Sequence, residues 1–225
     1  MAVVLGSAAP LSGQDSAAMP AAALREFPAT TPGSALALLL TGDGGFAAFD
    51  RALGEGLAAR GIAVIGVDSR SYFSKARTPE ETARDMGALA ETYMARWKRS
   101  DLILVGYSRG ANVAPFIATR LVPALRERLT AIAMIGLLPN ANFHYHTIDL
   151  IENKHRDDDR PTVPEVERLR GLRMLCIYGA DEKESGCRAL DPGLAKVVER
   201  PGGHRVHSDY DAIIADVAGV VAHAP

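Results

Sequence analysis

Leu102-Ile103-Leu104-Val105-Gly106-Tyr107-Ser108-Arg109-Gly110-Ala111-Asn112-Val113-Ala114 is the stretch that decides the fold. Its apolar opening reads as a buried strand and its Ala, Asn and Val close as the start of a helix, with the pattern Gly-x-Ser-x-Gly between them. A serine hydroxyl is a weak nucleophile at neutral pH. It needs a base beside it and a turn sharp enough to lift its oxygen clear of the backbone. Side chains two residues either side would collide in such a turn, which accounts for glycine at 106 and 110. The stretch therefore predicts a nucleophile elbow with Ser108 at its tip. The competing reading is a glycine-rich strand-to-helix turn in which Ser108 only caps the helix.

Working outward, strand and helix signals alternate. Ala22–Ala29 and Ala35–Leu40 flank Thr31-Pro32-Gly33-Ser34, where Pro then Gly suits the centre of a type II turn, so an opening hairpin is expected. Phe46, Phe49, Leu53 and Leu57 recur at helical spacing until Gly61, and Ile62–Val67 is an apolar strand ending at Asp68. Thr78, Pro79 and Glu81 form a capping-box signal for a helix whose apolar face is Met86, Leu89, Ala90, Tyr93, Met94 and Trp97. Further strands are expected at Ala131–Leu137, Leu172–Tyr178 and Lys196–Glu199, with a closing helix over Ser208–Ala222. Phe143–Ile151 reads as a strand or part of a small cap, and Asn153–Glu167 as a charged excursion. This order predicts an α/β-hydrolase-like fold: a mostly parallel central sheet with helices on both faces. Residues 1–21, rich in Ala, Pro, Gly and Ser, read as a flexible tail, and 22–225 as a single domain.

On such a sheet the acid and the histidine follow the nucleophile in the order Ser, Asp/Glu, His. Asp181 lies just beyond the strand Met174–Tyr178, where catalytic groups collect, with Glu182 and Glu184 as substitutes. His204, His207 and His223 follow it. His204 is preferred, because Pro201-Gly202-Gly203 can carry an imidazole over the sheet edge. The oxyanion of an acyl-transfer intermediate needs backbone N–H donors. Arg109 supplies one by its place after the nucleophile, and the Thr41–Gly45 loop the other, through Asp43 or else Gly44. Gly42, Gly44, Asp68 and Tyr107 complete the expected substrate-binding residues. His144 and His146 share one side of a strand, but no third ligand stands at characteristic spacing, so no metal is expected; nor is any cofactor.

The composition narrows the partners. With 25 basic and 27 acidic residues the formal charge is −2, and the basic residues form no long run, which argues against nucleic acid. No apolar stretch approaches the roughly 18–20 residues that cross a bilayer. The two cysteines, Cys176 and Cys187, form neither a CxxC pair nor a zinc set, and on composition alone two buried thiols would serve as well as a bridge.

Thr-Gly-Asp-Gly-Gly at 41–45, Gly-Val-Asp-Ser at 66–69 followed by Tyr72-Phe73 and Arg77-Thr78-Pro79-Glu80, Gly-Tyr-Ser at 106–108, Cys-Ile-Tyr-Gly at 176–179 and Pro-Gly-Gly-His at 201–204 occur together in an order that resembles the bacterial virulence protein VirJ/AcvB family. The resemblance runs from about Ala22 to the final helix. It implies a small periplasmic α/β-hydrolase, with an export signal absent or truncated in this chain. Its AcvB-type members are associated with hydrolysis of aminoacylated phosphatidylglycerol, chiefly the lysyl form, and VirJ-type members with type IV secretion and its cargo. The partners it implies are thus an aminoacylated phospholipid at the membrane surface and secretion-system proteins. On the family pattern Ser108, Asp181 and His204 carry over as the triad, while Arg109 departs from an aromatic residue. An oxidising periplasm also implies a Cys176–Cys187 disulfide closing the loop that carries Asp181. A lysyl ester brings two ammonium groups to the site, and of Asp43, Asp68, Glu182 and Glu184, Asp43 is the carboxylate best placed to face one.

Overall fold

The run Ala35-Leu36-Ala37-Leu38-Leu39-Leu40 is buried at every position, which only a strand covered on both faces can satisfy. In a computed structural model of the chain, which describes residues 19, 21–146, 156–205 and 209–222, it is β2 (Ala35–Leu40) of a seven-stranded sheet. Around it lie β1 (Leu24–Phe27), α1 (Ala48–Ala58), β3 (Ala63–Val67), α2 (Ser69–Tyr72), α3 (Pro79–Trp97), β4 (Asp101–Tyr107) and α4 (Arg109–Arg120). These are followed by α5 (Pro123–Arg126), β5 (Leu129–Ile135), β6 (Asn140–Ala141), β7 (Arg160–Pro161), α6 (Thr162–Glu167), β8 (Arg173–Gly179), β9 (Lys196–Arg200) and α7 (Tyr210–Ala222). The strand order is β1-β3-β2-β4-β5-β8-β9, parallel throughout except for β1. The expected α/β architecture is thus the observed one.

Alternate side chains of each strand enter opposite cores. Leu36, Leu38 and Leu40 pack with Met86, Ala90 and Phe116 of α3 and α4 on one face. Ala35, Ala37 and Leu39 pack with Phe49, Leu53 and Leu57 of α1 and Ile213 and Val217 of α7 on the other. The α3 start follows its sequence signal: Thr78 Oγ1 accepts from Glu81 N at 3.0 Å, and Glu81 Oε2 accepts from Thr78 N at 2.8 Å. Between β5 and β8 lies a two-stranded antiparallel pair, β6 with β7. The segment Phe143–Ile151, read as a strand or part of a small cap, forms no strand through 143–146, and the rest of it lies outside the described residues, as does the tail to residue 18.

The opening hairpin is corrected. β1 runs antiparallel to β3, not β2, with Leu24 opposite Val67. Both edges of β2 are already taken by the parallel strands β3 and β4, so β1 is left with the outer edge of β3. The Pro32-Gly33 bend instead packs against the end of α1: a Cβ on Gly33 would lie 2.2 Å from the carbonyl oxygen of Gly61.

One buried carboxylate matters for stability. Asp50, in the first turn of α1, is 1% exposed, and its Oδ2 accepts from Ala47 N at 3.0 Å. Burial raises its pKa from 3.8 to about 6, against the backbone bonds that favour the anion. A carboxyl whose folded pKa is raised binds more protons folded than unfolded between those two values. Its burial therefore destabilises increasingly as pH rises from about 4 to 6, and in full above that. Asp50→Asn keeps a cap acceptor and removes this penalty. The variant should gain stability relative to the parent as pH rises across that window, in urea midpoints measured from pH 4 to 7.

Candidate active site

The chain leaves β4 at Tyr107 and enters α4 at Arg109, so Ser108 occupies the whole turn. It sits at φ 53° and ψ −116°, a left-handed conformation that a non-glycine residue adopts only where its surroundings enforce it. The enforcement is steric. A Cβ at Gly106 would lie 2.3 Å from the backbone of Gly110, and one at Gly110 would lie 2.1 Å from the carbonyl oxygen of Leu40. Ser108 N donates to Ile135 O at 2.8 Å, and Gly110 N to Thr41 O at 3.1 Å. The 41–45 loop is thereby fastened beside the serine, close enough that a Cβ on Gly42 would sit 3.1 Å from Ser108 Cβ. Ser108 makes no side-chain cap bond to α4, so the helix-cap reading does not hold.

The Ser108 hydroxyl instead meets His204. Its Oγ lies 2.8 Å from His204 Nε2, and His204 Nδ1 lies 2.5 Å from Glu182 Oε1. The three groups form one hydrogen-bonded chain from a buried carboxylate to a hydroxyl at the turn. His204 rides on the loop after β9, as its glycines suggest. That loop crosses the end of β8 so closely that a Cβ at Gly179 would lie 2.2 Å from Gly203 O. The imidazole is stacked on the Tyr107 ring, centroids 6.3 Å apart. Tyr107 in turn packs edge-on against Phe49, and burial pushes its phenol pKa up to about 12, with the Asp50 charge adding to the shift. The phenol is therefore neutral at physiological pH, with its ring against the imidazole.

The acid is where the sequence reading is corrected. Asp181 is exposed, in the turn just past β8, and donates its backbone N–H to Gly202 O at 2.9 Å. The next residue turns back, Glu182 N donating to Gly179 O, and its carboxylate is the one buried beneath His204. Glu184 is exposed. Behind this loop Cys176 and Cys187 are joined by a disulfide. Arg188 then donates to the carbonyls of Ala180 and Glu182 at 2.8 and 3.2 Å.

The residue after Ser108 makes side-chain contacts that the sequence did not announce. Arg109 is 6% exposed, and its Nε donates to Asp43 Oδ1. Its Nη1 donates to Asn142 O at 2.8 Å and His144 O at 3.3 Å, and its guanidinium lies 5.8 Å from the Tyr145 ring. One oxygen of the half-buried Asp43 carboxylate is therefore engaged within the protein. Asp68 caps α2 through Oδ1, accepting from Ser71 N at 2.9 Å, with Oδ2 against Gly45. Gly44 is exposed at the tip of the loop. His144 and His146 lie with ring centroids 4.2 Å apart, and no group of three metal-ligating side chains exists among the described residues. His207 and His223 fall outside the described residues. Nothing in the sequence signalled Arg109 as a buried partner of Asp43, because their meeting depends on how the 41–45 loop lies on α4.

The sequence profile described as "Bacterial virulence protein (VirJ)" matches residues 34–223. No curated protein matches the chain. Among solved structures, it is similar to Est1E from Butyrivibrio proteoclasticus at 13% identity and a TM-score of 0.63, covering 88% of this chain and 91% of that one. It is similar to MenH from S. aureus at 11% identity and 0.60, covering 88% and 97%. The enol-lactonase from Burkholderia xenovorans LB400 matches at 15% and 0.60, covering 88% and 95%. At these identities the likeness is one of fold. No helix of the described residues is long and apolar enough to cross a membrane.

Two outcomes follow from the acid loop. Glu182→Gln should slow covalent labelling of Ser108 by a fluorophosphonate by up to about 10⁴-fold while Asp181→Asn changes it little, in labelling rates measured on purified variants. Reducing the Cys176–Cys187 bond should cost about 2–3 kcal/mol of unfolding free energy. It should also slow that labelling, as read from denaturant midpoints and labelling rates with and without reductant.

Proposed function

The chain belongs to the bacterial virulence protein family VirJ, and from that membership together with the Ser108–His204–Glu182 chain we propose that it is a serine esterase. The hydrogen-bonded chain carries the reading. His204 Nε2 takes the proton as Ser108 Oγ attacks an ester carbonyl carbon, and Glu182 holds the other ring proton at Nδ1 and stabilises the imidazolium. The N–H groups of Arg109 and Asp43 receive the oxyanion. The tetrahedral intermediate collapses to acyl-Ser108, and the proton on His204 passes to the departing alkoxide. Water then attacks the acyl carbon, giving its proton to His204, and the second collapse frees the acid and returns the proton to Ser108.

The substrate class that family membership supports best is the aminoacyl ester of phosphatidylglycerol, chiefly the lysyl form, at the periplasmic membrane surface. The disulfide suits an oxidising compartment. Of the two carboxylates beside the 42–45 loop, Asp43 is paired with the Arg109 cation and Asp68 carries only a helix-cap bond, so Asp68 keeps its negative charge to favour a cationic acyl group.

Ser108→Ala and His204→Ala should each lower turnover by up to about a millionfold, and a fluorophosphonate probe should label Ser108 in the parent. Near-normal activity in Ser108→Ala would sink the mechanism, and an unlabelled Ser108 would favour a non-catalytic role in escorting secretion cargo. For the substrate, kcat/KM is compared for lysyl-, alanyl- and uncharged acyl-phosphatidylglycerol, in the parent and in Asp68→Asn. A lysyl preference that falls in the variant supports the reading. Equal cleavage of all three, unchanged by the substitution, makes the protein a general carboxylester or thioester hydrolase.

A further inference from the structure

The two residues whose backbone N–H groups the esterase reading assigns to the oxyanion, Asp43 and Arg109, are joined to each other through their side chains. Arg109 Nε donates to Asp43 Oδ1, so the donors are linked by the backbone on one side and by an ion pair on the other. The pair is not a loose surface contact. The Arg109 side chain is 6% exposed and that of Asp43 24%. The same guanidinium reaches Asn142 O and His144 O and lies by the Tyr145 ring. Asn142 is itself held, its Nδ2 donating to Asp158 Oδ1 at 3.1 Å and Asp159 Oδ1 at 3.0 Å, and its Oδ1 accepting from His144 N at 2.8 Å.

The mechanics of the loop explain why such a brace is needed. Thr41 is tied to the sheet and to α4: its N donates to Val67 O at 3.1 Å, its Oγ1 accepts from Ser69 N at 3.0 Å, and its O accepts from Gly110 N. Gly45 N returns to Gly42 O at 3.1 Å. Between these anchors lies Gly42-Asp43-Gly44, two glycines around the donor residue, with Gly44 exposed and unopposed within 4 Å of a Cβ position. Asp43 and Gly44 form the centre of the turn that Gly45 N closes on Gly42 O, but with glycine on either side no neighbouring side chain holds the Gly42–Asp43 peptide, and a donor left that freedom is not fully preorganised toward a developing charge. The ion pair removes that freedom from the side-chain end.

We propose that Arg109 is a positioning residue: its guanidinium, held by the carbonyls of 142 and 144, grips the Asp43 carboxylate and so sets the Asp43 N–H at the oxyanion. The inference rests on the esterase reading. It also assigns the cap segment 142–146 a part in catalysis, since that segment orients the guanidinium. The pair is buried enough that removing Arg109 takes the cation away from a half-buried Asp43 carboxylate, so the two residues should act as a unit.

The test uses the intact protein and a neutral p-nitrophenyl ester, with kcat expressed per site titrated by a fluorophosphonate. Arg109→Gln, Arg109→Lys, Asp43→Asn and the double variant Asp43→Asn/Arg109→Gln are compared, and binding of an alkyl boronic acid, whose tetrahedral serine adduct mimics the oxyanion, is measured for each. The expected result is a loss of about ten- to a hundredfold in kcat for Arg109→Gln, with KM within about twofold. Boronate affinity should fall in parallel, Arg109→Lys should recover part of the loss, and the double variant should be no worse than the poorer single one. Unchanged kcat per titrated site and unchanged boronate affinity in Arg109→Gln would overturn the proposal while leaving the esterase reading intact. A parent that neither titrates nor turns over the ester overturns both.

Discussion

The structure depends on one steric constraint, the approach of the first turn of α4 to the end of β2. Where Gly110 passes Leu40 there is no room for a methyl group. Closing that gap brings Gly110 N to Thr41 O, and with it the loop after β2 alongside the residue at the tip of the elbow. The same closure leaves Ser108 no conformation but a left-handed one. The strain, on the order of 1–3 kcal/mol for such a residue, is tolerated because the flanking strand and helix are buried in both cores. The hydroxyl is exposed to its base because the backbone beneath it cannot relax.

The serine and histidine halves of the site are held by different means. The serine half is fixed by packing against the central strands. The other half sits on loops beyond the last two strands, where Glu182 and His204 owe their positions to a disulfide, to Arg188 gripping two carbonyls, and to glycine-on-carbonyl contact between Gly179 and Gly203. Neither half contains the hydrogen-bonded chain alone; it exists where β8 and β9 bring the second over the first.

What could be read from the sequence divides along the same line. Local signals were legible: the Thr78 capping box, the all-apolar β2, and the elbow, each set by residues within a turn of one another. Strand identity was legible too, because Ala35–Leu40 or Ile62–Val67 can hardly be anything else at their hydrophobicity. Strand neighbours were not. The Pro32-Gly33 bend looks like a hairpin until β3 and β4 claim both edges of β2, a competition between segments that no local pattern records. The acid failed by one residue for a similar reason. Asp181 has the better position relative to the strand end, but it lies at the centre of the turn that Glu182 N closes on Gly179 O, with its side chain exposed, and the carboxylate this turn buries is the next one. The burial of Arg109 was equally invisible, since carbonyls from Asn142 and His144, which any sequence there would supply, accept from it and Asp43 meets it only once the 41–45 loop lies on α4.

The separation of the two halves along the chain has a consequence for biosynthesis. Everything that shapes the elbow, from β1 to β5, precedes residue 136, whereas Glu182 and His204 come from residues made later and added at one edge of the sheet. A nascent chain can thus assemble most of its core with the serine still lacking its base. The hydrogen-bonded chain from Glu182 through His204 to Ser108 closes only when β8 and β9 dock, with the Cys176–Cys187 bond behind its carboxylate end. The order of synthesis therefore leaves an interval in which the Ser108 hydroxyl stands at its turn before its imidazole partner exists.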